Sequence, residues 1–427
     1  MNRPITEGQR ELLEKIKGET EKGEISTVSF RMWDTLVLTP FSVKSDLFVL
    51  MEDYFKELSK TDKSFTELRI QAEESAEKKI EKGYTVTIES IYEILRKVCK
   101  TGEDVKKKLI EKECELIEKY SFARECGKEL FESAKGSKKR VLILADTIYP
   151  RDTVNRILKK CGYSSSDEVI IPQEMNIQGN QSIMDTVIKK SGSKASRHLH
   201  IGGDVEKDVE TPIIKGAKAL LLSPVVPLMV KSGRFRGYVQ SQKLFDYESE
   251  EYFILRCIFG LYACYGFDIP QNKQPHSDFC NDKYMLGFIV LGSLSLDEGF
   301  EAEGETEEEL IRGLESDEDI RKGKEDFCEM FGKYFGDIRG RYKAEGSRLG
   351  LIYLENHSST GDRSLLKPYI SDSIWEIWSK NITDPDIVPV YARTLKKNAV
   401  SKFADKLFPQ GTKVRTITDR IMGKLHL

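Results

Sequence analysis

The chain lacks a CxxC pair, a bilayer-length apolar run and a strong charge imbalance, and each absence closes off a class of function. Its eight cysteines (Cys99, Cys114, Cys126, Cys161, Cys257, Cys264, Cys280 and Cys328) are scattered. They show no zinc-ligand spacing, and the five histidines do not cluster with them. Met1-Asn2-Arg3-Pro4 leads into polar helical sequence with no apolar signal core, so no secretory signal is expected. Scattered thiols in such a chain read as reduced cysteines of a cytosolic protein. The most apolar stretches, 252–267 and 284–296, fall short of the ~20 residues that cross a bilayer, and the first contains Arg256. Both are read as buried helices. A net charge of −3 gives no electrostatic case for nucleic acid.

What is present is an ordinary globular composition, 39% hydrophobic and 32% charged over 427 residues. That length suits two domains, or one α/β domain with an insertion and a tail. Residues 1–24 read as an N-terminal segment with an exposed charged helix, and 25–30 turn to strand character. The apolar spacing of Leu47, Leu50, Met51, Tyr54 and Phe55 is helical. The stretch 43–122 carries no strand signal and reads as a helical insertion, with Thr87 a candidate N-cap. Strand signal returns at Val141-Leu142-Ile143-Leu144, an apolar run suited to a parallel strand covered on both faces. It recurs at 169–171, 198–201 and 219–222, with helices at 152–161 and 182–190 between.

Strands alternating with helices imply an α/β, doubly wound parallel sheet. The core is then 25–42 with 123–225. In such sheets chemistry gathers at the carboxyl ends of the strands, where Asp34, Asp146 and Asp204 stand. The remainder, 226–392, reads as mostly helical, with a solvated acidic loop at 297–319 holding twelve carboxylates and one arginine. A strand-like run at 350–354 keeps a second small α/β unit open.

Phe30-Arg31-Met32-Trp33-Asp34-Thr35-Leu36 resembles the first motif of the haloacid-dehalogenase (HAD) superfamily in the form F-D-x-F-D-T-L. Lys139 to Asp146 resembles the second motif, and His200-Ile201-Gly202-Gly203-Asp204 through Asp208 the fourth. Phe65 to Ala76, with Arg69 and Glu73, and Thr85 to Tyr92 are similar to the helical cap of a bacterial subgroup associated with surface-polysaccharide synthesis. The resemblance spans roughly residues 25–225. It implies a Rossmannoid sheet with an inserted cap, and an Mg²⁺-assisted aspartyl-phosphate chemistry.

The residues depart from that chemistry. The nucleophilic carboxylate belongs at position 31, where Arg31 cannot be deprotonated and cannot attack phosphorus. The phosphate-binding hydroxyl of the second motif is replaced by Ala145. The third-motif lysine, expected near Gln178, is missing there, which leaves Lys189, Lys190 and Lys194 as displaced candidates. Asp204 and Asp208 either retain a metal-binding pair or cap the helix that follows. Asp34 has two readings, a turn residue or a substitute nucleophile. Asp146 orders the loop after its strand, and His200 reads as a packed strand-end histidine.

The site residues are therefore Arg31, Asp34, Thr35, Ala145 and Asp146 in a degenerate pocket. Asp204 and Asp208 join them as metal ligands only if an Mg²⁺-dependent activity survives. If one of those acids points inward, Arg31 can supply the cation Mg²⁺ would have supplied. No cofactor is expected on the leading reading, a pseudophosphatase acting as a binding or scaffold module, with glycan synthesis implied by resemblance alone. The rival is an active phosphohydrolase with a rewired site, and a third reading has Arg31 as a substitution in an otherwise active protein.

The expected partner is a protein or an anionic ligand, with no nucleic acid. Residues 393–427 carry nine basic and two acidic residues, with stripes at Leu395, Ala399, Phe403, Leu407 and at Val414, Ile417, Ile421, Leu425. Such a segment suits either an anionic membrane surface, peripheral to the inner face, or packing on the domain with its basic face in water.

Overall fold

Strand β1 (Thr27–Arg31) is buried on both faces because every neighbour in its sheet is covered by helices. Its Phe30 ring lies 6.1 Å from Phe131, whose ring lies 5.0 Å from Tyr163. The structure, a computed structural model, describes residues 7–79, 86–175, 182–231, 253–268, 282–296 and 305–336. It divides into two units, Met1–Met229 with Phe259–Pro275, and Val230–Ile258 with His276–Leu427.

The first unit holds the α/β core. Strands β4 (Arg140–Leu144), β5 (Glu168–Ile170), β6 (His198–Gly202) and β7 (Lys218–Leu221) join β1 in the order β5-β4-β1-β6-β7, all parallel. On one face Leu142, Leu144 and Ile170 pack against Met184 and Val187 of a helix at Ile183–Ser191. That helix begins with a reciprocal Ser182–Asp185 capping box, which satisfies its first free N–H groups. On the other face stands the Phe131 helix, α7 (Glu125–Gly136). The apolar runs of the sequence thus mark the central strands, as expected of a doubly wound sheet.

Two elements were not legible. β2 (Val37–Leu38) and β3 (Phe122–Ala123) form a two-residue antiparallel ribbon, too short for any periodic signal. Between them lie helices α2 (Asp46–Val49), α3 (Glu52–Ser59), α4 (Phe65–Lys79), α5 (Ile88–Cys99) and α6 (Glu103–Tyr120). Thr87 caps α5, with Ser90 completing the box.

The insertion has a charged centre. Glu113 of α6 is fully buried and takes Arg69 Nε at 2.9 Å, Arg69 Nη2 at 3.0 Å, the Tyr92 hydroxyl at 2.6 Å and the Tyr149 hydroxyl at 3.2 Å. Tyr149 belongs to the loop after β4, so one carboxylate joins three inserted helices to the core. Ile88 N–H adds a bond to the Ile148 carbonyl at 3.0 Å.

The region 226–392 does not behave as one piece, because Phe259–Pro275 belongs to the first unit. Gly260 carries no Cβ where one would meet the Pro40 carbonyl at 2.0 Å, and the Cys264 thiol reaches the Thr39 carbonyl. Apolar Phe253–Gly266 is a buried helix, as read from the sequence. In the second unit, the acidic stretch is not a loop where it is described. Residues Glu305–Ser316 and Glu318–Phe335 are helices, the second capped by Asp317. Carboxylates gathered at a helix N-terminus favour its dipole, and Leu314, Ile320, Phe327 and Phe331 supply a buried stripe. The 350–354 run, the Gln178 region and the 393–427 tail lie outside the described residues. No helix among the described residues is long and apolar enough to cross a membrane.

Candidate functional site

The register of the sheet brings the motif residues together. Ser29 of β1 faces His200 of β6 and Thr27 faces His198, so Ser29, His198 and His200 share one face. The Ser29 hydroxyl lies 2.7 Å from His198 Nε2 and 2.7 Å from His200 Nδ1. Arg31 closes β1, and its carboxyl end opens on the turns after β4 and β6.

There Arg31 meets two carboxylates. Its Nε lies 2.6 Å and 2.8 Å from the two oxygens of Asp208, and its Nη2 lies 2.5 Å from Asp208 Oδ1. Its Nη1 reaches Asp146 Oδ2 at 3.2 Å. The planar guanidinium presents its Nε–Nη2 edge to one carboxylate, the geometry for which arginine is suited. Asp208 is completely buried and also takes His200 Nε2 at 3.2 Å and the Asp204 N–H at 2.9 Å.

A π-helical turn at Val205–Glu210 swings Asp208 back beneath the end of β6. Gly202 makes room for it, because a Cβ there would sit 2.3 Å from Asp208 Oδ2.

The proton positions follow from the chain of partners. Asp208 accepts from His200 Nε2–H, so His200 Nδ1 is bare and accepts from the Ser29 hydroxyl. The Ser29 oxygen then accepts from His198 Nε2–H, which leaves His198 Nδ1 a buried acceptor with no partner among the described residues. Burial, and then the neighbouring His200, push the His198 pKa down to about 3. Burial also lowers His200 against the pull of Asp208. Asp208, despite its burial, is held well below the usual carboxylate range by His200 and Arg31. Burial works against the Arg31 charge, but Asp208 and Asp146 more than offset it and raise its pKa.

The other expected site residues divide. Asp34 sits in a turn at φ 61°, a left-handed conformation that aspartate tolerates. Its N–H donates to the Val37 carbonyl and its own carbonyl accepts from Arg124 Nη1 at 2.6 Å. The carboxylate is exposed, yet the protein around it thins its hydration and raises its pKa, an effect Arg124 opposes. The turn role fits this geometry better than attack on a substrate. Thr35 is buried, and its hydroxyl has no hydrogen-bond partner among the described residues. Ala145 is buried and offers only backbone, its N–H donating to the Ile170 carbonyl.

Asp204 does not enter the pocket as a ligand: its carboxylate caps the Val205–Glu210 turn through the Lys207 N–H at 2.8 Å. Lys190 pairs with Glu168 at the amino end of β5, the end of the sheet opposite the pocket.

Arg124 was missed. It is fully buried and joins the Asp34 carbonyl, the Ser223 carbonyl at 3.0 Å and the Asp268 carbonyl at 2.9 Å. No sequence signal marks it, because its partners lie 90 to 144 positions away. His198 and Ser29 were missed too, although two histidines at alternate strand positions share a face.

The Mg²⁺ implied by the family resemblance does not fit this donor set. A divalent ion needs bare carboxylate oxygens, and a carboxylate has roughly four lone-pair sites. Asp208 already receives Arg31 Nε, Arg31 Nη2, His200 Nε2 and Asp204 N–H. No group of three or more His, Cys, Asp or Glu residues able to hold a metal occurs among the described residues.

No protein-family model matches the sequence, and no curated protein matches it. Among solved structures, the chain is similar to a haloacid dehalogenase-like family hydrolase from Xanthomonas campestris. The identity is 13%, with 47% of this chain and 82% of that one covered at a TM-score of 0.34. It is also similar to a predicted phosphoglycolate phosphatase from Haemophilus somnus 129pt, 15% identical, covering 47% and 86% at a TM-score of 0.33.

Proposed function

We propose that this chain is a non-catalytic member of the HAD-like group, a pseudophosphatase that works as a binding or scaffold module. One observation carries the reading: the position of the attacking carboxylate holds Arg31, and that side chain is engaged with Asp208 and Asp146. A guanidinium bound to two carboxylates is neither a nucleophile nor a free anion receptor. The local charge supports the same reading. Asp208 and Asp146 outnumber the one cation between them, so a phosphate monoester meets net repulsion there. The partner this favours is a protein. A place in surface-glycan synthesis is part of the proposal only through the subgroup resemblance.

The test is hydrolysis of a generic phosphomonoester by purified full-length protein with Mg²⁺. The expected rate equals the no-enzyme control, and Arg31→Asp restores little of it because Ala145 still lacks a hydroxyl. Turnover above control that vanishes in Asp34→Asn establishes the rewired enzyme instead.

A further inference from the structure

We infer that Arg31 is the pocket's own cation, a tethered guanidinium that replaces a divalent ion instead of assisting one. This rests on the non-catalytic reading of the same site and adds what holds the site together. The position of the side chain is the first argument. β1 lies between β4 and β6, and Arg31 at its end touches a carboxylate beyond each neighbour, Asp146 at 3.2 Å and Asp208 at 2.5 Å. One positive group thereby bridges acids from two flanking turns, which is the part a bound metal plays in a carboxylate site.

The second argument is how Asp208 is built in. Its side chain has no exposure, while that of Arg31 keeps 14%. A buried carboxylate needs a compensating charge and filled lone pairs. Arg31 provides the charge and two of the donors, and His200 and the Asp204 N–H provide the rest. The absence of a Cβ at Gly202 keeps that carboxylate where the guanidinium can reach it. The arrangement is shaped for a planar, fork-like cation. A spherical divalent ion would face the Arg31 charge and find the Asp208 oxygens taken.

Removing the side chain should therefore leave a cavity that selects guanidinium. Thermal unfolding of the full-length protein in EDTA and in millimolar Mg²⁺ or Mn²⁺ should give one midpoint, with no protein-bound Mn²⁺ signal in paramagnetic resonance. Arg31→Ala should unfold at a lower temperature, and methylguanidinium should raise its midpoint. At ten times its dissociation constant the shift expected is roughly 3–6 °C, with none for the wild type and less for methylammonium or Mg²⁺. An Arg31→Ala chain that folds only once methylguanidinium is added supports the inference equally. If that variant cannot be obtained, Arg31→Lys keeps a cation with a poorer fork, and its midpoint should lie below wild type and ignore Mg²⁺.

Stabilisation of the wild type by Mg²⁺, a bound Mn²⁺ signal, or better rescue of Arg31→Ala by Mg²⁺ than by methylguanidinium overturns the tethered cation. Metal bound without turnover does so while leaving the non-catalytic reading intact.

Discussion

Asp208→Asn keeps the shape of the side chain and removes its charge, which isolates what the carboxylate contributes. In the wild type its two oxygens receive Arg31 at 2.6 and 2.8 Å, His200 at 3.2 Å and the Asp204 N–H at 2.9 Å. A carboxamide retains one acceptor oxygen and turns an NH₂ towards groups that are themselves donors. Arg31 then stays largely buried with Asp146 as its remaining acid, 25% exposed. Breaking a buried pair by removing one partner costs about 3–5 kcal/mol. At about 2–4 °C per kcal/mol for a unit of this size, the midpoint should fall by roughly 6–20 °C. Arg31→Met should cost a similar amount, because it strands the Asp208 charge. The double variant should cost clearly less than the two losses together, since burying neither charge is far cheaper than burying one. Urea unfolding followed by circular dichroism gives all three values. An Asp208→Asn protein within about 0.5 kcal/mol of wild type, the range of an unimportant surface change, would refute the account of the site.

Gly202→Ala should mimic much of that loss without touching a charge, because the new methyl falls on the Asp208 carboxylate; a neutral result would mean the carboxylate is not held there. Acid should weaken the fold early. His198, lowered from 6.5 to about 3, stays neutral in the folded chain while the unfolded chain takes up protons below pH 6.5. Stability is thus full above that pH and declines as the pH falls towards 3, by about 1.4 kcal/mol per unit for each such histidine; a flat profile between pH 7 and 5 contradicts this. In the insertion, Glu113→Gln should cost about 3–5 kcal/mol by leaving the buried Arg69 with Glu73 as its remaining acid, and Tyr149→Phe only about 1.5–3 kcal/mol for one bond to a charged group. Denaturation should rank them in that order. If residues 393–427 serve an anionic surface rather than pack on the domain, flotation with anionic vesicles is salt-sensitive, each basic residue adding on the order of 1 kcal/mol, and equal flotation of a chain truncated before 393 disposes of that surface role.

Apolar runs made the sheet readable, since a strand covered on both faces has little room for polar residues; Val141–Leu144 is the plainest case. The ribbon of β2 and β3 was invisible because its two strands are two residues each and stand far apart in sequence. At the site, Arg31, Asp146 and Asp208 each stood out by motif position. Which acid meets the arginine was not decidable, because Asp204 and Asp208 are four residues apart on one turn. The backbone separates them, spending Asp204 on a cap and returning Asp208 to the pocket. The helices of the acidic stretch were hidden because most of their buried stripe, Ile320, Phe327 and Phe331, follows the carboxylates in sequence. Arg124 lay beyond reach altogether, as three of its acceptors are backbone carbonyls that any residue could offer.

The ribbon of β2 and β3 also makes the inserted helices a cassette. Val37 pairs with Ala123 and Leu38 with Phe122, so the chain leaves the core and comes home at a single doorway. A short turn of the kind that closes hairpins could join the two strands and excise everything between. The core would keep its five strands and lose the cover over Ile148 and Tyr149, now 9% and 4% exposed. A miniaturised protein of this kind then needs polar residues at those two positions and new partners for Gly260 and Cys264, which rest on the Pro40 and Thr39 carbonyls. The same doorway offers a grafting point at which a different lid can be spliced onto an unaltered base.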